Sequence, residues 1–170
     1  MKKTFDKLSV FLSTGLYLSF LPSVLIRKFS SPTMSQALSS KKWTGAGIIG
    51  SIQGVLTVLF LPEHFSNSWF WLLVGLFISI ILSDRAEKVL GSHDDSRIVI
   101  DEWIGMIIAL KGLGLPLWIP AFILFRFFDV WKGPWGKYFQ KWPGGLGIVS
   151  DDVAAGILTN FILVTFSQFF

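Results

Sequence analysis

The chain has 170 residues, of which 52% are hydrophobic and 15% are charged, and its formal net charge is +4. This composition is too apolar for an ordinary soluble domain and predicts a protein that is embedded in a membrane. The sequence contains no cysteine, which excludes disulfide frameworks, thiolate zinc sites and cysteine nucleophiles. Only His64 and His93 offer an imidazole, so any hydrolytic chemistry must rest mainly on carboxylates.

Five hydrophobic runs divide the chain, and most of them approach the roughly 20 residues that a membrane-spanning helix needs. They cover residues 8–26, 43–61, 68–83, 103–125 and 153–170. We therefore predict a single domain over residues 1–170, with an all-α fold that is a multi-pass membrane helical bundle of four or five spanning helices. The first run either spans the membrane or lies in its interface, because positive charge on both sides of it leaves its orientation undecided.

Basic and small residues have separate expected roles in this bundle. Lysine and arginine lie between the apolar runs, where they favour contact with anionic lipid, and no basic helix separable from the membrane segments indicates a nucleic-acid partner. The tryptophans lie at or near the ends of the runs, which is typical of anchors in the headgroup layer. Gly47, Gly50 and Gly54 in the second run are spaced to let two helices approach closely.

The fourth run is interrupted by "KGLGLP" at residues 111–116, which contains two glycines and a proline. Helices tend to end at such a break, so we predict antiparallel helices over residues 97–109 and 117–131. In this helical hairpin around residues 97–131, Asp101 and Asp129 lie at similar distances from the turn and can face each other. In one straight helix they would be about 40 Å apart, which is too far for a shared site.

Three clusters of acidic residues border the apolar runs. They are Asp101 and Glu102 in "IDEWIGM", Asp129 in "FRFFDVWK", and Asp151 and Asp152 in "SDDVAAG". Ionisable groups at the edge of membrane segments are costly and usually have a function. Carboxylates with few histidines suit a hard ion, so we predict that all five converge on one or two Mg²⁺ ions and form a catalytic site.

Each cluster also has a structural alternative. Asp151 and Asp152 can belong to the first turn of a helix behind a Ser150 cap, where the helix dipole favours negative charge. Asp129 can form ion pairs with Arg126 and Lys132, which lie three residues away on the same helical face. The functional interpretation explains all the clusters together, with Arg126 and Lys132 binding phosphate oxygens.

The polar segment "GSHDDSR" precedes the first acidic cluster. His93 is a candidate substrate-binding residue, because an imidazole can orient a ligand or shuttle a proton. A polar loop without a functional role is the alternative for this segment, and we favour it for Asp95.

Three motifs, "HDDSRIVIDEWIGM", "FRFFDVWK" and "GGLGIVSDDVAAG", in this order and at this spacing, resemble the bacterial phosphatidylglycerophosphatase A family. The resemblance runs from about residue 47 to the C-terminus. It implies Mg²⁺-dependent hydrolysis of the membrane lipid phosphatidylglycerophosphate to phosphatidylglycerol and phosphate, in bacterial phospholipid biosynthesis. It also implies functional roles for Asp94 and the five carboxylates, and supports Arg126 and Lys132 as phosphate contacts. The expected location is the bacterial cytoplasmic (inner) membrane, with the active site facing the cytoplasm.

Other functions remain as alternatives. A CDP-alcohol phosphatidyltransferase also places aspartates on membrane helices around a metal, but its Asp-Gly-x2-Ala-Arg…Gly-x3-Asp-x3-Asp spacing is missing here. A non-enzymatic cation carrier, in which the acids line an ion path, is the second alternative. Within the phosphatase interpretation, the nucleophile is either a metal-activated water or one of the aspartates.

Overall fold

The computed structural model describes residues 2–22, 24, 45–92, 95–139 and 141–168, and the side chains of residues 134, 135 and 137 are outside this description. The described residues form helices joined by turns, without β-strands, so the all-α class is confirmed. The α-helices are α1 (Lys2–Ser13), α2 (Ala46–Phe60), α3 (Glu63–Ser66), α4 (Trp69–Leu90), α5 (Ile100–Leu110), α6 (Trp118–Trp131), α7 (Gly133–Phe139) and α8 (Gly144–Ser167).

Helix α5 is the centre of the described bundle. It packs most extensively against α8 and α2, and it also contacts α4 and α6. All of its residues are buried except Glu102 and Trp103, which are partly exposed. The C-terminal half of α5 packs into a core that includes Met106, Phe125 and Ala155. The predicted acidic motif at the start of α5 is therefore carried on the most enclosed helix of the fold.

Glycines bring the helices around α5 unusually close. A Cβ atom at Gly50 of α2 would collide with the carbonyl oxygen of Val99, and one at Gly54 would lie 2.8 Å from that of Trp103. On the opposite side of α5, Gly156 of α8 packs against the carbonyl oxygen of Gly105. The close helix approach predicted from the second run is confirmed at Gly50 and Gly54.

The first apolar run is not one continuous helix. Helix α1 ends at Ser13, and Gly15, Leu16 and Tyr17 have positive φ angles of 58°, 58° and 63° before a short 3-10 helix, Leu18–Phe20. Thr14 donates its hydroxyl hydrogen bond to the carbonyl oxygen of Val10 at 2.7 Å, a local bond that competes with helix propagation. The described part of the run predicted over residues 8–26 is therefore broken, and whether the run spans the membrane or lies in its interface stays a prediction; residues 23, 25 and 26 lie outside the description.

The fourth run forms two helices, as the glycine and proline break predicted. Helix α5 starts at Ile100 rather than at residue 97, whereas α6 begins and ends within one residue of the predicted bounds. The side-chain amide of Asn160 donates to the carbonyl oxygens of Ala109 and Lys111, at 3.1 and 2.8 Å, and so satisfies the end of α5.

Two described helices are long and apolar enough to cross a membrane: Trp69–Leu90 with 22 residues and Gly144–Ser167 with 24. Ala46–Phe60 is apolar but shorter. Within the described part of the chain this is fewer than the four or five spans expected, so the multi-pass arrangement stays a prediction.

Candidate functional site

Three carboxylates from two helices meet at one end of the bundle. Asp101 and Glu102 lie in the first turn of α5, Asp152 lies on α8, and their ligand oxygens are all within 4.8 Å of one another. Asp101 and Asp152 are buried, and Glu102 is partly buried. The Oε2 atom of Glu102 is buried without a hydrogen-bond partner. Like charges held this close are unfavourable, so the arrangement has the chemistry of a cation site.

The position of Asp152 within α8 corrects one alternative. Helix α8 begins at Gly144, so Asp151 and Asp152 lie two turns inside it rather than in its first turn. The Ser150 hydroxyl donates to the carbonyl oxygen of Leu146 at 2.6 Å and does not cap the helix start. The interpretation of these aspartates as first-turn residues behind a Ser150 cap is therefore wrong, and the helix dipole does not explain their burial.

Asp129 of α6 lies beside this group. Its carboxylate is close enough to that of Asp152 for the two to interact electrostatically. Nη1 of Arg126 is 2.6 Å from Oδ2 of Asp129 and 4.0 Å from Oε1 of Glu102. The predicted ion pair between Arg126 and Asp129 is present, and Arg126 also links Asp129 to Glu102 of α5.

Helix α2 closes the side of the site next to Arg126. Nη1 of Arg126 lies 3.3 Å from the Ser51 hydroxyl oxygen, to which it donates. A Cβ atom at Gly47 would collide with Oε1 of Glu102 and would lie 2.9 Å from Nη1 of Arg126. From the sequence, Gly47 was predicted only as one of the glycines that let two helices approach closely, and this small-residue spacing was the available signal for the place of α2 at the site.

Lys132 forms an ion pair with Asp151, a partner that was not considered from the sequence. It follows α6 with a φ of 49°, a left-handed conformation, and its Nζ lies 2.5 Å from Oδ2 of Asp151. This left-handed residue ends α6, and its side chain reaches Asp151 of α8. Asp151 is thus held by Lys132, beside the carboxylate group formed by Asp101, Glu102 and Asp152.

The loop before α5 contains a separate ion pair. Asp95 and Arg97 are joined at 2.6 Å, and the Ser92 hydroxyl also contacts Asp95. Burial of the Asp95 carboxylate raises its pKa, but the hydrogen bonds from Arg97 and Ser92 together outweigh this effect. The net result is a pKa lowered from 3.8 to about 2. The same hydrogen bond raises the pKa of Arg97. The predicted substrate-binding residues His93 and Asp94 lie outside the described residues.

The assembled residues fit a hard divalent cation. The donor atoms are carboxylate oxygens, which Mg²⁺ prefers, and one of them is a buried oxygen without a hydrogen-bond partner. Arg126 lies against the carboxylates of Asp129 and Glu102, and those of Asp101 and Asp152 lie next to Glu102, so acidic groups outnumber the basic one. A cation bound here would offset this charge and leave a positively charged side chain beside it.

Comparisons with known proteins agree with the motifs. The sequence profile described as Phosphatidylglycerophosphatase A matches residues 32–167. The chain is 35% identical over 125 residues to phosphatidylglycerophosphatase A of Escherichia coli (strain K12), covering 69% of this chain and 71% of that protein. Identity to phosphatidylglycerophosphatase A of Haemophilus influenzae is 32% over 123 residues, covering 69% and 76%.

A third relative extends further along the chain. It is a protein of Bacteroides thetaiotaomicron that carries the provisional name phosphatidylinositol-3-phosphatase, and it is 31% identical over 162 residues. The match covers 88% of this chain and 95% of that protein. No solved structure matches the chain.

Proposed function

Because the chain belongs to the phosphatidylglycerophosphatase A family, we propose that it hydrolyses the terminal phosphate of phosphatidylglycerophosphate and releases phosphatidylglycerol and inorganic phosphate. The observation that carries this proposal is the meeting of Asp101, Glu102 and Asp152 beside Arg126. Phosphate monoesters are among the slowest compounds to hydrolyse in water, so a site must both neutralise phosphoryl oxygens and position a nucleophile.

Asp101, Glu102 and Asp152 would hold Mg²⁺, with Asp129 close enough to contribute a further oxygen. When bound, Mg²⁺ would neutralise charge on the phosphoryl group and favour deprotonation of a nearby water. These carboxylates project from α5 and α8, two helices that pack closely through glycines. This close packing holds the carboxylates in a fixed geometry.

Arg126 and Lys132 would bind the phosphoryl oxygens. Arg126 already pairs with Asp129, and Lys132 already pairs with Asp151. These ion pairs hold the two positive charges at the site before the lipid binds. We assign Asp151 to positioning Lys132, and we keep His93 and Asp94 as proposed contacts of the lipid headgroup.

The reaction breaks the bond between phosphorus and the glycerol oxygen of the lipid. The attacking oxygen comes from water or from one aspartate, and the departing glycerol oxygen takes up a proton. If an aspartate attacks, water then hydrolyses the aspartyl phosphate, which releases inorganic phosphate and restores the carboxylate. Recovery of a phosphorylated aspartate from acid-quenched protein would exclude direct attack by water.

The proposed location is the bacterial inner membrane, with the site facing the cytoplasm. Two candidate spanning helices and large exposed apolar side chains support a membrane-embedded protein; Phe77 and Phe161 are 65% and 67% exposed. The acidic site lies where α5 and α2 begin and α6 ends, so it would face the headgroup layer rather than the hydrocarbon.

The deciding experiment measures phosphate release by the purified protein from phosphatidylglycerophosphate, with Mg²⁺ and with a chelator. We expect release only with Mg²⁺. Transfer of a phosphatidyl group to an alcohol would instead favour the phosphatidyltransferase alternative, and cation flux without hydrolysis would favour the carrier.

Phosphatidylinositol 3-phosphate is the second candidate substrate. It is favoured by the relative from Bacteroides thetaiotaomicron, whose match includes more of the chain than the other two. Parallel assays with both lipids separate the candidates, and we expect phosphatidylglycerophosphate to have the higher kcat/KM.

A further inference from the structure

A groove with apolar walls lies between α2 and α6, on the outside of the described bundle. Its volume is about 440 Å³, which is in the range of small-molecule sites, roughly 300 to 1,000 Å³. Val55, Trp118 and Phe122 form its floor and pack against the main core. Leu56 and Ile119, on its two rims, are 43% and 74% exposed, so the groove opens to the side.

The groove continues the candidate active site along the same two helices. Ser51 of α2 and Arg126 of α6 are in contact at 3.3 Å. Val55 lies one helical turn beyond Ser51, and Phe122 lies one turn before Arg126, each about 6 Å along its helix axis. Because α2 begins at the site and α6 ends there, both groove walls run away from Arg126 in the same direction.

We propose that this groove binds an acyl chain of the lipid whose phosphate occupies the carboxylate site. The inference rests on the proposed function. A lipid that presents its phosphate to Arg126 must direct its chains away from that charged end, and the groove is the apolar path that starts within about one turn of it. The exposed rims let a chain enter sideways from the bilayer, without passing through the protein.

The groove walls allow a test that leaves the phosphate site intact. Leu56→Trp and Ile119→Trp fill the groove from opposite sides and keep its surface apolar. Leu73→Trp on α4 is the matched control, because Leu73 is 59% exposed and does not line the groove. The substrates are dipalmitoyl phosphatidylglycerophosphate and its deacylated headgroup, glycerophosphoglycerophosphate, in the same detergent with Mg²⁺.

We expect each groove variant to lower kcat/KM for the dipalmitoyl lipid about tenfold. This is the effect expected if about two methylene groups of the acyl chain are no longer buried. Activity on the deacylated substrate should stay within about twofold of wild type, which also shows that the variants fold. Leu73→Trp should change neither value.

Three results would overturn the assignment. Unchanged activity of both groove variants on the dipalmitoyl lipid would mean that only bulk lipid fills the groove. Equal losses on the two substrates, with an altered oligomeric state in detergent, would mean that a second copy or another segment of the chain packs there. A wild-type protein that releases no phosphate from either substrate would reject the proposed function, and the groove's assignment with it.

Discussion

The carboxylate of Asp95, in the loop before α5, and the carboxylate group of Asp101, Glu102 and Asp152 differ in how their charge is balanced. Asp95 is paired with Arg97 in the loop, at 2.6 Å. Asp101, Glu102 and Asp152 instead face one another, with ligand oxygens within 4.8 Å. A carboxylate paired with its own guanidinium needs no function to explain it, whereas a buried group of like charges costs stability. The second group is therefore the one that could bind a metal ion, as we propose.

The largest expected effect comes from removing one carboxylate of the group. Asp152→Asn should lower phosphate release by about a hundredfold or more, because it removes a proposed Mg²⁺ ligand. Without Mg²⁺ the same variant should have a higher melting temperature than wild type, because repulsion among the carboxylates is relieved. Kinetic assays and melting curves in detergent check both.

The control for this variant is Asp84→Asn on α4. Asp84 forms an exposed pair with Lys88 at 2.5 Å and is not part of the carboxylate group. Its substitution should leave activity within about twofold of wild type, since exposed i,i+4 pairs contribute little. Full activity of Asp152→Asn would refute the assigned site.

The next effect concerns the guanidinium that faces two of the carboxylates. Arg126→Ala should reduce kcat/KM about ten- to a hundredfold, through loss of a charged phosphate contact. Arg126→Lys should recover only part of this, because an ammonium cannot form the bidentate contact. Inhibition by inorganic phosphate gives the independent readout, and it should weaken in the alanine variant. Unchanged phosphate inhibition would assign Arg126 to a purely structural ion pair.

A smaller effect is expected from closing the gap between α2 and α5. Gly50→Ala places a methyl group against the rigid carbonyl of Val99, which should destabilise the fold by about 1–3 kcal/mol. Gly47→Ala instead meets the mobile ends of Glu102 and Arg126, so it should affect activity more than stability. Melting temperatures and kcat/KM of the two variants, measured together, test this contrast. The opposite ranking of the two in stability would show that helix spacing is set elsewhere.

The smallest expected effect comes from breaking the ion pair between Asp95 and Arg97 in the loop before α5. The folded-state pKa of Asp95 is about 2, below the ordinary value of 3.8, so its contribution to stability is present above about pH 4 and is lost as the pH falls toward 2. Asp95→Asn should cost about 1 kcal/mol near pH 6, allowing for solvent screening at the partly exposed Arg97. The difference in melting temperature from wild type should shrink as the pH is lowered to about 3. A gap that is constant with pH would contradict the role of this ion pair.

Much of the candidate site could be predicted, because its chemistry depends on residue type and local spacing. The absence of cysteine and the acidic motifs indicate carboxylate chemistry, and the break at residues 111–116 predicts separate α5 and α6 helices. The first apolar run was harder to predict, since apolar composition does not reveal the turn with positive φ angles at residues 15–17.

The sequence by itself determined an all-α fold, the available ligand types and the family resemblance. Only the tertiary structure decided which carboxylates meet, that Lys132 holds Asp151, and that an apolar groove continues from Arg126. The reason is that these contacts join residues far apart in the chain. Asp101 and Asp152 meet because Gly105 and Gly156 let α5 and α8 pack backbone to backbone, and helical periodicity within either segment carries no information about that approach.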